Sequence, residues 1–234
     1  MITIYAIAYN EEIMIPHFIK WYKERFPSCK IIIYDNYSTD NTEKIALENG
    51  CEVIKFDTKN QLSNSKYLEI KNNCWKSANT DWVFVGDVDE MLNINELQLQ
   101  QEMLKGTTII KSKGWDVVNL KDDLDIENMD CGCNSPGYSK NYMFNKSEII
   151  EMNYEPGCHK SNPLGLVQYS EREYNLYHKR YVNSRFLIDR YREYNKRRSP
   201  EDVKYGWGIQ YTSDEQKIIN EIADKRKHCQ KITE

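Results

Sequence analysis

Residues 1–92 alternate between unbroken apolar runs and segments with apolar residues at helical spacing. Ile2–Tyr9 (ITIYAIAY) is apolar and β-branched, which predicts a buried strand. In the next segment Ile15, Phe18, Ile19 and Tyr22 share one helical face, with Pro16 in the first turn. KIIIYD (residues 30–35) predicts a second strand, STDNTEKIALENG a helix stopped by Gly50, and CEVIKF a third strand. SNSKYLEIKNNCWKSAN predicts a helix, and DWVFVGD (residues 81–87) a fourth strand. This order argues for an α/β fold with a mostly parallel sheet covered by helices. Beyond Leu92, INELQLQQEMLKG reads as a helix and TTIIKS as a strand. Residues 115–141 read as a long polar loop containing Asp116, and YMFNKSEIIEMN as a hairpin. A turn-rich segment carries His159 and YNLYHKRY carries His178. Residues 182–198 form a basic amphipathic helix, and SDEQKIINEIADKRKHC a last helix. No linker or repeat divides the chain, so one domain is expected, with halves 1–92 and 93–180 and a helical extension 181–234.

The strand ends carry the chemistry. Tyr9-Asn10-Glu11, Asp35-Asn36 and Asp87-Val88-Asp89 each follow an apolar run, and in parallel sheets ligands bind beyond the carboxyl ends of the strands. Asp87, Asp89 and Glu90 repel one another unless something positive lies among them, and a divalent metal with a phosphate beyond it is the usual solution.

Composition narrows this picture. A net charge of -4 disfavours binding nucleic acid by bulk charge. No apolar run is long enough to span a membrane, and the N-terminus has no basic region or cleavage site of a signal peptide. The 7 cysteines are odd in number and scattered, which fits reduced thiols and a cytoplasmic location.

Four motifs together resemble the GT-A-fold glycosyltransferases of the family-2-like group. AYNEE (8–12) is similar to the first motif and IYDNYSTDNT (33–42) to the second. In KNNCWKSANTDWVFVGDVDE, Lys71-Asn72 stand where the family often has Arg-Asn, with Ala78 and Asp87 six and fifteen residues beyond Asn72. Asp87-Val88-Asp89 resembles the metal-binding DXD triplet. The resemblance covers residues 1–92 well and is thinner beyond.

The resemblance implies a metal-dependent transfer of sugar from a nucleotide-sugar, of the UDP type, to a glycan, glycolipid or protein hydroxyl, with inversion. It implies Mn²⁺ or Mg²⁺ on Asp89, with Asp87 on the ribose or a metal-bound water, and one of His159 and His178 completing the site. Tyr9 would stack on the base and Asp35 accept from the uracil imide. Ala8, Asn10, Glu11, Asn36 and Val88 would line the nucleotide, and Lys71 would reach the diphosphate. Asp116, beside Trp115 as a sugar platform, and Glu155 are the candidate bases. The basic helix 182–198 offers a peripheral membrane-surface contact or, more simply, a solvated face. The alternatives are a nucleotidyltransferase of related fold, disfavoured by the acidic, glycine-free turn after the first strand, and an inactive nucleotide- or sugar-binding module.

Overall fold

The computed structural model describes residues 1–233. Its first half follows the alternation of the sequence: β1 (Ile2–Ala8), α1 (Ile15–Arg25), β2 (Lys30–Asp35), α2 (Thr42–Glu48), β3 (Glu52–Lys55), α3 (Asn64–Asn73) and β4 (Trp82–Asp87). β1 lies between β2 and β4, parallel to both, and β3 flanks β2. All seven residues of β1 are buried, which is why the run is apolar apart from Thr3, whose hydroxyl pairs with that of Thr80. α1 buries Ile15, Phe18, Ile19 and Tyr22, the residues of its apolar stripe.

The second half comprises β5 (Glu90–Leu92), α4 (Glu96–Leu104), β6 (Ile109–Val118), β7 (Cys131–Asn134), β8 (Met143–Asn145), β9 (Ile149–Glu151), β10 (Leu164–Gly165) and β11 (Tyr169–Tyr181). After these come α5 (Ser184–Arg197), α6 (Pro200–Tyr205), α7 (Glu215–His228) and β12 (Gln230–Lys231). Among the described residues ten strands form one mixed, mostly parallel sheet flanked by helices, in the order β12-β7-β6-β8-β4-β1-β2-β3, with β11 paired to β5 and β6. No described helix is long and apolar enough to cross a membrane.

Two sequence expectations fail here. The polar stretch 115–141 is not one loop. β6 runs on through Trp115 and Asp116 to Val118, because β11 and β7 pair along its two edges and satisfy its backbone. The irregular part splits into residues 119–130 and the segment 135–142, which contains one short helical turn. Nor do β8 and β9 form a hairpin. β8 pairs with β4 and β6, while β9 pairs with β10, and the Lys146 N–H donates to the Asp81 carbonyl where the chain turns between them.

The C-terminal extension has its own apolar cluster, in which Leu187, Ile188 and Tyr191 of α5 meet Ile218 and Ile222 of α7 over Val118 and Tyr181. α5 starts at an Asn183 cap that accepts from the Phe186 N–H. Its far end is stitched to the loop before α3: the Leu62 N–H donates to the Arg197 carbonyl at 2.5 Å, and the Ser199 N–H to the Leu62 carbonyl at 3.0 Å. These ties make α5 a fixed wall rather than a loose appendage.

Gly114 lies inside β6, not in a turn, where a short helical turn (Pro136–Tyr138) crosses it. A Cβ there would stand 2.4 Å from the Tyr138 carbonyl carbon and 2.5 Å from the Ser135 oxygen. Gly114→Ala must shift backbone, and urea denaturation is expected to show a loss of about 1–3 kcal/mol, the usual range for overpacking. Lys179 of β11 is buried, donating to the Ile126 carbonyl at 2.9 Å. Burial pushes its pKa down to about 8, and Arg25 adds to the effect. The folded state therefore binds fewer protons than the unfolded state between about pH 8 and about pH 10.5, so stability rises with pH across that window. Lys179→Met is expected to flatten that slope, as read by denaturation at several pH values between the two limits.

Candidate active site

Strand register assembles the floor of the site. β5 runs antiparallel to β11 with Glu90 opposite His178, and β11 runs parallel to β6 with His178 opposite Asp116. Residues in register on neighbouring strands project to the same face. His178 Nδ1 thus lies 3.1 Å from Asp116 Oδ1, and its Nε2 lies 3.6 Å from Asp89 Oδ2. Burial alone would lower the His178 pKa. The bonds to Asp116 and Asp89 outweigh it and raise it above the ordinary value. Asp116 is held in turn by Lys225 Nζ at 2.7 Å. The Tyr138 ring stacks on the imidazole at 3.9 Å, so position and tilt of the ring are both set.

The acidic cluster at the end of β4 is tolerated because each carboxylate has a cation beside it. Lys71 Nζ lies 2.6 Å from Asp87, and Lys140 Nζ lies 2.7 Å from Glu90. Arg190 of α5 serves two acids, 2.7 Å from Glu11 and 3.1 Å from Asp89. Burial by itself would raise the Asp89 carboxyl, but Arg190 and the His178 bond hold it well below the usual carboxylate range. Glu11 is different: burial pushes it up to about 7, outweighing Arg190 and the Tyr194 hydroxyl bond. Lys71 stays charged despite its burial because Asp87 is beside it.

These groups surround a cavity of about 320 Å³. Of the residues singled out in the sequence, Ala8, Tyr9, Glu11, Lys71, Asp87, Val88, Asp89, His159 and His178 line it, whereas Asn10, Asp35, Asn36, Asp116 and Glu155 do not. Asp35 is fully buried and accepts from Lys55 Nζ at 2.5 Å and from the Ser38 N–H at 3.1 Å. Asn36 is buried as well, donating to Thr58 and to the hydroxyl of Tyr67. Asn10 ties the first motif to the second, accepting from the Thr39 N–H while its own N–H donates to Ser38 Oγ. Asp116 is the base candidate the geometry moves furthest: set behind the imidazole, it faces His178 and Lys225 and orients the ring. Trp115 is buried, its indole N–H donating to Asn175, so it offers no open ring to a sugar. Glu155 is exposed on the His159 loop. His159 sits at the rim, its Nδ1 2.6 Å from the Gly137 carbonyl, with Tyr138 packed against both histidines.

Several lining residues carry no clear mark in the sequence. Tyr138 and Lys140 come from the stretch read as a loop, and Arg190 and Tyr194 from the helix read as a solvated basic face. Arg197, one turn further along α5, is buried and lies over the Tyr9 ring at 3.0 Å, with both terminal nitrogens lacking a hydrogen-bond partner. One signal does exist: Arg190, Tyr194 and Arg197 are spaced i, i+4, i+7, one face of a helix. The outward arginines have partners elsewhere, Arg185 with Asp189 one turn along α5 and Arg192 with Glu215 at the start of α7.

Among the described residues no group of three or more His, Cys, Asp and Glu is arranged to hold a metal unaided. Asp89 and His178 nevertheless fit half of one. Their oxygen and imidazole nitrogen face each other, and the Asp116 carboxylate behind His178 is the arrangement that orients a histidine ligand. Oxygen plus imidazole suits Mn²⁺, with phosphate oxygens and water taking the remaining positions.

Asp116→Asn keeps the shape of the residue and removes the charge behind the ring. The His178 pKa, followed by NMR of its ring protons, is expected to fall relative to wild type.

Comparison with known proteins places these residues in a family. No curated protein matches the chain. Among solved structures, the chain is similar to S. aureus TarS 1-349, at 15% identity over 95% of this chain and 70% of that one, with a TM-score of 0.46. It is similar to glucosyl-3-phosphoglycerate synthase from Mycobacterium tuberculosis, solved with Mn²⁺ and UDP, at 21% identity over 49% of this chain, with a TM-score of 0.36. The chain spans 44% of that enzyme's length. The mannosyltransferase PcManGT from Pyrobaculum calidifontis, in complex with GDP-Man and Mn²⁺, matches at 15% identity over 52% of this chain and 36% of its own, with a TM-score of 0.36. At such scores none of these likenesses bears on an individual residue. The family model described as glycosyl transferase family 2 matches residues 3–153, well over half of the chain, and the chain belongs to that family.

Proposed function

We propose that this chain transfers a sugar from a nucleotide-sugar, of the UDP type, to a hydroxyl acceptor with the help of a divalent metal. The observation that carries the reading is the chain Asp89–His178–Asp116 at the floor of a cavity whose other acids are already neutralised. A nucleoside diphosphate is a leaving group only when its charge is balanced, and a bound Mn²⁺ or Mg²⁺ supplies that balance as a Lewis acid. Asp89 and His178 Nε2 would hold the ion. Lys71 would share its charge between Asp87 and the diphosphate, and Asp87 is then free to meet the ribose.

In the transfer, the acceptor oxygen forms the new glycosidic bond at the anomeric carbon. The bond from that carbon to the diphosphate oxygen breaks, and its electron pair leaves with the diphosphate. The acceptor proton passes to a base. Asp116 is a poor base in this reading, because its carboxylate is saturated by His178 and Lys225. Tyr9 would stack on the base from the side opposite Arg197, and Leu62 and Tyr67 would close the pocket around it. The acceptor reads as a glycan, a glycolipid or a protein side chain.

The test is calorimetric titration of UDP into the protein with Mn²⁺ and then with EDTA, repeated with GDP and CDP. Wild type is expected to bind UDP only with the metal. Asp89→Asn and His178→Gln are expected to weaken that binding by about tenfold or more, the usual cost of disturbing a ligand or its support. Absence of metal-dependent binding to all three nucleotides would instead mark an inactive binding module.

A further inference from the structure

Arg190 is a single cation that serves two acids of the cavity, Glu11 and Asp89. Its Nη1 donates to Glu11 Oε2 at 2.9 Å, and its Nη2 lies 2.7 Å from Glu11 Oε1 and 3.1 Å from Asp89 Oδ2. That same Asp89 oxygen lies 3.6 Å from His178 Nε2. The guanidinium therefore already touches the oxygen a divalent ion would take. The rings of Phe186 and Tyr194 flank it at 5.6 and 5.2 Å, and its side chain is only 12% exposed, so it changes partners within the cavity rather than swinging into solvent.

Charge balance sets the order of events. The lining acids Glu11, Asp87, Asp89 and Glu90 face the lining cations Lys71, Lys140 and Arg190. A metal arriving alone adds its charge beside Arg190 and is repelled. A diphosphate arriving alone meets acids whose cations are engaged. When both arrive, the ion takes over Asp89, and the guanidinium is released to the diphosphate, whose oxygens match its planar fork.

We propose that Arg190 couples the two ligands. It holds Asp89 until metal and nucleoside diphosphate are present together, then passes Asp89 to the metal and pairs with the diphosphate. This rests on the metal-dependent nucleotide site proposed above. Because coupling between two sites is reciprocal, each ligand must then tighten the other by the same factor.

The test measures the Mn²⁺ dissociation constant, by electron paramagnetic resonance of the free ion, without nucleotide and with saturating UDP. It compares wild type, Arg190→Gln, and the double variant Glu11→Gln/Arg190→Gln, which removes the charge that the first substitution leaves unpaired. Thermal melting checks that each is folded. In wild type UDP is expected to tighten Mn²⁺ by about a hundredfold, a coupling within the usual range. Both variants are expected to bind Mn²⁺ alone about tenfold more tightly than wild type, and the gain from UDP to shrink by about the same factor, as loss of one charge-assisted contact predicts. Wild type coupled but both variants unchanged in Mn²⁺ affinity would overturn the role of Arg190 and leave the functional reading standing. Wild type in which neither ligand affects the other would overturn both.

Discussion

A charged carboxylate survives in a protein interior only beside a cation, and this requirement organises the molecule around the end of its central strands. Glu11, Asp89 and Glu90 are almost wholly buried, and Asp87 is half so. Their partners come from distant places: Lys71 from α3, Lys140 from the segment before β8, Arg190 from α5. Each partner fixes a piece of the fold. Arg190 draws α5 over the turns after β1 and β4, with the Tyr194 hydroxyl bond to Glu11 beside it. Lys140 ties the segment leading into β8 to Glu90 of β5. The same groups that stabilise the ligand-free cavity are those whose exchange with a metal and a diphosphate would let chemistry proceed.

The first half of the fold was legible because its signals are local. An unbroken run such as Ile2–Tyr9 has few alternatives to a buried strand, and Gly50, with φ 71°, stops its helix by backbone geometry alone. The second half was not, because its polar residues are buried by pairing rather than exposed by being polar. Asp116 looks like a loop residue until β7 and β11 border its strand and Lys225 arrives from α7. Asp35 illustrates the same limit at the site. Nothing near it in sequence announces that Lys55, on the neighbouring strand, fills its hydrogen-bonding capacity. The two histidines could not be ranked from spacing, whereas the register of β5, β11 and β6 separates them at once.

Helix α5 does more than one thing along its length. Its apolar residues build the second core with α7, while Arg190 and Tyr194 line the cavity and Arg197 covers the Tyr9 ring. Stability of the extension and electrostatics of the site are therefore carried by one rigid element. A shift of α5 large enough to change the cavity must also disturb Leu187, Ile188 and Tyr191, which makes the position of the arginines as well defined as the packing beneath them.

The pairing of Glu11 with Arg190 spans 179 residues. At the usual pace of protein synthesis, about 5–20 residues per second, the acid is added to the chain roughly 10–35 s before Arg190 is. For most of that interval β1 to β4 are complete in sequence, but the charges at their ends lack their principal counterpart. The nascent chain must wait with Glu11 either protonated or exposed to water. Its closure over the site waits until the segment carrying Arg190 emerges and can reach an acid made 179 residues earlier.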